Sequence, residues 1–329
     1  MKLVAHPTLT AQSVPDSKAP HLVMWNTAAF AELRPELREQ RRQFDAVIDG
    51  RLVGSVVGAL DGDMFTMGAS APFGAPDFTR EYEPVRGVDD LLMDTFGQMA
   101  DAGVRQVLMR MKPPHFSATE PGLLFSLLSR GCCVAESNLN FYIDLTGYRT
   151  VDDYLVDLKK PARRAVRHGE LLGLRSALLA EDDEAGWYAA YEVLRVNRAN
   201  KGRPTRLSHE YVCAIRDAFP GLVRMLVVSS DDTVCAAALL YRIGARRDVV
   251  QYWGDAGHEL VSSPMNFLVR EVVAHCVETG SEYIDLGIST DHGEPNHGLI
   301  QFKRSVGARS EVRLEVACPD LPRFLRAGR

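Results

Sequence analysis

No stretch of the 329-residue chain is both long and apolar enough to cross a bilayer as a helix. Its first segment, MKLVAHPTLTAQSVPDSKAP, lacks a continuous apolar core and a small-residue cleavage site, so the expectation is a cytoplasmic protein with no membrane span. Cysteine is sparse and scattered: six residues, only Cys132 and Cys133 adjacent, and no CxxC pair. That spacing argues against a zinc site or a disulfide scaffold and predicts reduced thiols. Positive charge is not in excess either. With 38 Lys and Arg against 43 Asp and Glu, the formal net charge is −5, which confines any nucleic-acid contact to a local patch.

What is present is an ordinary globular balance, 46% apolar and 25% charged, at a length that suits two medium domains. Residues 1–20, rich in Pro, Ser and Thr, read as a loose lead-in. FDAVIDGRLVGSVVGAL (44–60) predicts paired strands around Asp49-Gly50, and VDDLLMDTFGQMADAG (88–103) an amphipathic helix stopped at Gly103. Strand VRQVLMRM, helix GLLFSLLSRG (122–131) and strand residues CCVAESNLNFYIDL follow. The second half repeats the order: two helices, strands through RMLVVSSDDTVCAAALLYRI and DVVQYWGDA, helix SPMNFLVREVVAHCVETG, strand SEYIDLGI, helix HGLIQFKRSVG and strand SEVRLEVA.

The halves superpose as text. Setting Gly103 on Gly280 puts Leu91 on Leu268, Phe96 on Val273, Met99 on Cys276 and Val107 on Ile284. Setting Gly131 on Gly307 puts Gly122 on Gly298, Leu123 on Leu299 and Leu124 on Ile300. Both alignments keep the order of helix, glycine and strand, so two copies of one α/β unit are expected. The second alignment also places Lys303 on Leu127. Lys303 follows Leu299 by four residues and precedes Val306 by three, on the stripe that should face the core. Its ordinary reading is a stem along the core with the head in water; the functional reading draws on the adjoining loop of Asp291, His292, Glu294, Asn296 and His297.

DLGISTDHGEPNHGLIQFKRSVGA resembles the C-terminal signature of the Fem-type peptidyltransferases and their relatives in the GCN5-related N-acetyltransferase (GNAT) superfamily, where a strand ending in DLG or DFG precedes a loop and a helix with an FK pair. VDDYLVDLKKPARRAVRHGELLGL (151–174) is similar to the segment these proteins carry between their halves, and SAPFG (70–74) is a third, short match. The resemblance implies an α/β fold of two tandem GNAT-like domains, each a mixed β-sheet flanked by helices, with a cleft between them. It implies a lead-in at 1–20, a first, acceptor-side domain at 21–150 and a basic connecting helix at 151–172. A second, catalytic domain at 173–318 and a tail at 319–329 complete it.

It also implies transfer of an activated acyl or aminoacyl group to an amine, with Lys303 as the FK lysine linked to stabilising the transferring carbonyl. Amine attack on an ester or thioester builds negative charge on the carbonyl oxygen, which a fixed cation stabilises. A lysine with a depressed pKa could serve as base instead, and the sequence leaves the two roles open. Asp285, near the C-terminal end of strand YIDLG, is a candidate for amine binding or proton removal, against an ordinary role in accepting hydrogen bonds from loop amides. His297 and His292 are alternative bases. No metal site is expected, because no helical His pair or CxxC accompanies these residues.

Enzymes that use acetyl-coenzyme A bind its pyrophosphate with a Q/R-x-x-G-x-G/A loop at a helix N-terminus. The equivalent segment here, GDAGHELVSS, carries Asp255 and Glu259 and departs from that spacing, which favours the Fem-like branch, in which aminoacyl-tRNA is the co-substrate. Two basic clusters are candidate donor-phosphate sites: Lys159, Lys160, Arg163, Arg164 and Arg167, and the stretch VNRANKGRPTR with Arg203 and Arg206, which also holds Arg198 and Lys201. Phe73, Gly74 and Arg80 are candidates for the acceptor, a small-molecule or peptide-like amine that includes cell-wall precursors. No permanently bound cofactor is expected, and the oligomeric state is open. The alternatives are an N-acyltransferase using acyl-coenzyme A or acyl carrier protein, and a catalytically silent module that holds a ligand or RNA.

Overall fold

The computed structural model describes residues 4–6, 23–48, 50–69, 71–78, 85–117, 119–257 and 264–327. In chain order its strands and α-helices begin with β1 (Val4–His6), α1 (Ala28–Glu32), β2 (Arg41–Ile48), β3 (Arg51–Asp61), β4 (Met64–Met67), β5 (Asp77–Phe78), α2 (Val85–Asp101), β6 (Gln106–Arg110), α3 (Glu120–Ser129) and β7 (Cys133–Asp144). They continue with α4 (Val151–Asp157), α5 (Lys160–Leu171), β8 (Arg175–Leu178), α6 (Glu184–Asn200), α7 (His209–Ala218), β9 (Val223–Ser230), β10 (Thr233–Ile243) and β11 (Arg247–Asp255). The last are α8 (Pro264–Glu278), β12 (Tyr283–Ile288), β13 (Thr290–Asp291), β14 (Glu294–Pro295), α9 (His297–Ser305), β15 (Arg309–Cys318) and α10 (Leu321–Arg326). They form two compact units, Met1–Leu139 with Glu311–Arg329, and Asn140–Ser310.

In the first unit β1, β2, β3 and β4 pair antiparallel in turn, β4 pairs parallel with β6, and β15 pairs antiparallel with β6. The parallel step requires a crossover, and α2 supplies it. Leu91, Leu92, Phe96 and Met99 recur on one face of α2, and all are buried with Phe44, Phe65 and Val107 in one core. Each such side chain contributes about 1.5–3 kcal/mol by leaving water.

The second unit repeats this scheme. Strands β8, β9, β10 and β11 pair antiparallel, α8 crosses over, and β12 lies parallel to β11 and antiparallel to residues 140–144 of β7. The aligned punctuation is the same at the level of single bonds. Val104 N–H donates to Met99 O at 3.0 Å where Ser281 N–H donates to Cys276 O at 2.8 Å. Cys132 N–H donates to Leu127 O, and Ala308 N–H to Lys303 O, both at 3.1 Å. These bonds close the ends of equivalent helices, so the textual repeat is a structural one.

Three boundaries differ from the sequence expectation. The segment expected to connect two domains, α4 and α5, belongs within the second unit, where Tyr154, Ala162, Val166 and Gly169 are buried. Strand β15, expected to finish the second domain, lies in the first unit, with Val316 opposite Met109. The expected tail holds α10, whose Leu321 and Phe324 are buried, the latter against Phe96 at 5.0 Å between ring centroids. Strand pairing between residues roughly two hundred positions apart decides these boundaries, and local punctuation does not encode it. The lead-in (apart from 4–6), Asp49 of the expected hairpin and Ser70 of SAPFG lie outside the described residues.

Candidate functional site

In the second unit, β11 and β12 pair, among the described residues, at Arg247 with Tyr283, Asp248 with Ile284 and Val249 with Asp285. Past Asp285 the register of β12 against β7 shifts, so that Asp285 faces Tyr142, Gly287 faces Phe141, and Leu286 is the extra residue of a bulge. Gly287 has φ +73°, a conformation that glycine adopts without the Cβ penalty other residues meet. The Asp285 carboxylate secures the turn. It is buried, with one oxygen accepting from Gly287 N–H at 2.8 Å and the other from the Asn140 side-chain amide at 2.6 Å. The loop-amide role is therefore present, supplemented by a residue 145 positions away.

Helix α9 starts at Asn296, whose side chain accepts from Leu299 N–H at 3.0 Å. Two turns later Lys303 is 1% exposed, as deep as its counterpart Leu127 at 0%. Its ammonium does not reach water as the stem-and-head reading would have it. It donates to Gly287 O at 2.8 Å and to Ile288 O at 3.1 Å, and lies 5.5 Å from the centre of the Phe141 ring. A buried cation needs such acceptors, and the end of β12 beyond the bulge presents two.

A cavity of about 780 Å³ lies in this unit beside β11 and the start of α9. Arg198, Lys201 and Arg203, from the end of α6 and the loop after it, line one part, and Trp253, Leu299 and Phe302 supply apolar surface. Trp253 and Phe302 meet edge to face at 5.5 Å, and Arg198 lies over the Tyr252 ring at 4.8 Å. Lys201 donates to Asn197 Oδ1 at 2.9 Å, and Asn197 in turn donates to Asp255 O at 2.8 Å. Asp255 and the first residues of α8 complete the lining. Cations beside an apolar wall suit a ligand with an anionic part and a less polar end.

Of the residues singled out from the sequence, Arg203 lines this cavity and pairs with Asp291 at 3.1 Å. Lys303 and Asp285 are buried beside the lining and not part of it, while His297 is exposed at the first residue of α9 and His292 is exposed in the loop. Lys160, Arg164 and Arg167 are exposed on α5 and Lys159 at its N-cap, Arg163 is half-buried, and Arg206 is exposed beyond α6.

The expected acceptor loop is corrected in part. Phe73 is fully buried, edge to face with Trp25 at 4.8 Å and with Phe116 at 4.9 Å, so its ring has no surface to offer a ligand. Gly74 packs backbone against backbone on Gly68, where a Cβ would come within 2.2 Å of the Gly68 Cα. Arg80 lies outside the described residues, as does Glu259 of the GDAGHELVSS loop.

Sequence reasoning did not pick out Asn197 or Phe302 as site residues, whereas Asn296, named with the loop beside Lys303, does line the cavity. The spacing of four between Asn197 and Lys201 was the legible signal for the first. Trp253 lines the cavity, whereas Trp187 is core.

Residues 157–304 match the family model of an acetyltransferase (GNAT) domain. No curated protein matches the sequence. Among solved structures the chain is similar to FemX, at 14% identity over 96% of this chain and 97% of that one, with a TM-score of 0.69. It is similar to the C-terminal domain of an Agrobacterium fabrum protein assigned as a lysylphosphatidylglycerol synthetase, at 14% identity over 93% and 90%, TM-score 0.60. It is also similar to a tandem GNAT protein from the clavulanic acid biosynthesis pathway, at 12% identity over 96% and 98%, TM-score 0.50. Residues 157–304 thus match the model of an acetyltransferase (GNAT) domain, and the chain as a whole shares the fold of FemX and of the tandem GNAT protein.

Proposed function

We propose that this protein is a cytoplasmic aminoacyltransferase that moves an aminoacyl group from aminoacyl-tRNA to the amine of a small peptide-like or cell-wall-precursor acceptor. The observation that carries the reading is the cavity of about 780 Å³ in the second unit, with Arg198, Lys201 and Arg203 on one part and Trp253, Leu299 and Phe302 on another. Phosphates of the donor's 3′ end meet the cations, and the aminoacyl end lies along the aromatic wall. The exposed cations of α5, with Arg206, extend the basic surface available to the rest of a tRNA. Support also comes from two of the similar structures, FemX and the domain assigned to a lysylphosphatidylglycerol synthetase. Among the described residues no helix is long and apolar enough to cross a membrane.

In this reading the acceptor nitrogen attacks the ester carbonyl, the amide C–N bond forms, and the ribose oxygen leaves with the proton the amine gives up. Lys303, which donates to Gly287 O and Ile288 O, acts in this reading as the cation. It sets the bulge at Gly287 and adds positive potential where the oxyanion develops. His297, exposed at the start of α9, is the accessible candidate to take the proton.

The apolar part of the cavity also suits the pantetheine arm of an acyl-coenzyme A, the donor of the competing reading. Radiolabel transfer from mixed charged tRNA to a panel of amines, run beside labelled acyl-coenzyme A, decides between them. Transfer from tRNA alone supports the proposal, and transfer from coenzyme A alone replaces it. Binding of RNA with no transfer from either donor points to a silent module.

A further inference from the structure

The cavity holds charges of both signs that do not neutralise one another. Asp255, at the end of β11, lines the wall with one carboxylate oxygen accepting from Gly257 N–H at 3.0 Å. Among the described residues no ion pair or second hydrogen bond engages that carboxylate. The cations around it are turned to other partners: Lys201 to the Asn197 side chain, Arg203 to Asp291, and Arg198 to the face of Tyr252.

A carboxylate facing a site meant only for a polyanion opposes binding, because like charges in a partly enclosed space repel. A ligand that carries a cationic group beside its phosphates gains from both signs. Coenzyme A has an anionic head and a neutral arm and offers no such cation. An aminoacyl ester does offer one, since its α-amino group has a pKa near or above neutrality and is largely protonated.

We propose that Asp255 binds the protonated α-amino group of the donor, so that the site selects donors with a free α-amine over N-blocked or simple acyl donors. This rests on the aminoacyl reading given above and adds the group by which the donor is recognised. It has a chemical consequence. The α-nitrogen paired with Asp255 keeps its proton and has no lone pair for attack, so only the acceptor amine displaces the ribose oxygen, and the donor does not react with a second donor.

The test is calorimetric titration of the full chain with two hydrolysis-resistant probes, a 3′-deoxy-3′-aminoacylamino-adenosine 5′-phosphate with a free α-amine and its N-acetylated counterpart. Wild type should bind the free amine at least about tenfold more tightly, the worth of one charge-assisted contact in a partly open site. In Asp255→Asn, which keeps an oxygen for Gly257 N–H, the two probes should bind equally. Arg198→Ala should weaken both probes alike and leave their ratio intact. Equal binding by wild type overturns the inference and leaves the donor assignment standing, as does a preference that survives in Asp255→Asn. If neither probe binds while coenzyme A does, the aminoacyl reading fails and the inference with it.

Discussion

Replacing Lys303 by leucine, the residue its counterpart carries in the first unit, tests what the buried ammonium does. The side chain is 1% exposed and supplies a donor to two carbonyls, Gly287 O and Ile288 O. Depriving a buried carbonyl of its donor costs about 1–3 kcal/mol each, and the leucine recovers part of the sum because no ammonium need be desolvated. A net loss of about 3 kcal/mol follows, which for a unit of this size lowers the melting temperature by roughly 6–12 °C. Thermal melts by circular dichroism read the shift, and transfer assays well below both transitions read the chemistry separately. Loss of a cation near the oxyanion should lower turnover by about 10²-fold or more even where the variant is fully folded. A melting temperature equal to wild type would refute the claim that the ammonium holds the end of β12. Unchanged turnover in the folded variant would remove Lys303 from the chemistry.

The reciprocal change, Leu127→Lys, puts an ammonium into a core position that is 0% exposed among apolar neighbours, and should destabilise the first unit by about 3–5 kcal/mol in urea titration. Gly74→Ala drives a methyl group into the Gly68 backbone and should cost about 2–4 kcal/mol by the same measurement, whereas Gly97→Ala, with open space around its Cβ, should be neutral or stabilising. Burial, and then the Arg224 guanidinium that donates to its Nε2, hold His275 below the usual histidine range. The folded state therefore resists a proton that the unfolded chain accepts. The contribution is intact above the ordinary histidine value and is lost as pH falls through it, by at most about 1.4 kcal/mol per pH unit. His275→Gln keeps an acceptor for Arg224 without the titration, so the melting temperature of wild type should fall relative to this variant between pH 7.5 and 5.5, the pH values bracketing about 6.5.

The sequence by itself determined the repeated α/β unit, because helix periodicity, stop glycines and strand runs are local properties of the chain. Gly103 and Gly280 end equivalent helices with the same hydrogen bond, as do Gly131 and Gly307. It likewise put Lys303 on a core-facing stripe, since spacing on a helix fixes which face a residue occupies. Only the tertiary structure decided what that lysine meets. Its acceptors arise from a bulge, and a bulge is a relation between strands that no single segment carries. The same holds for Asn140 on Asp285 and for the return of β15 to the first unit. It holds also for the cavity, where Arg198, Lys201, Asp255 and Phe302 come from α6, the loop after it, β11 and α9. Phe73 shows the converse: a motif match marked it for contact with a ligand, and packing against Trp25 and Phe116 made it core, because burial depends on what the rest of the chain lays over a residue.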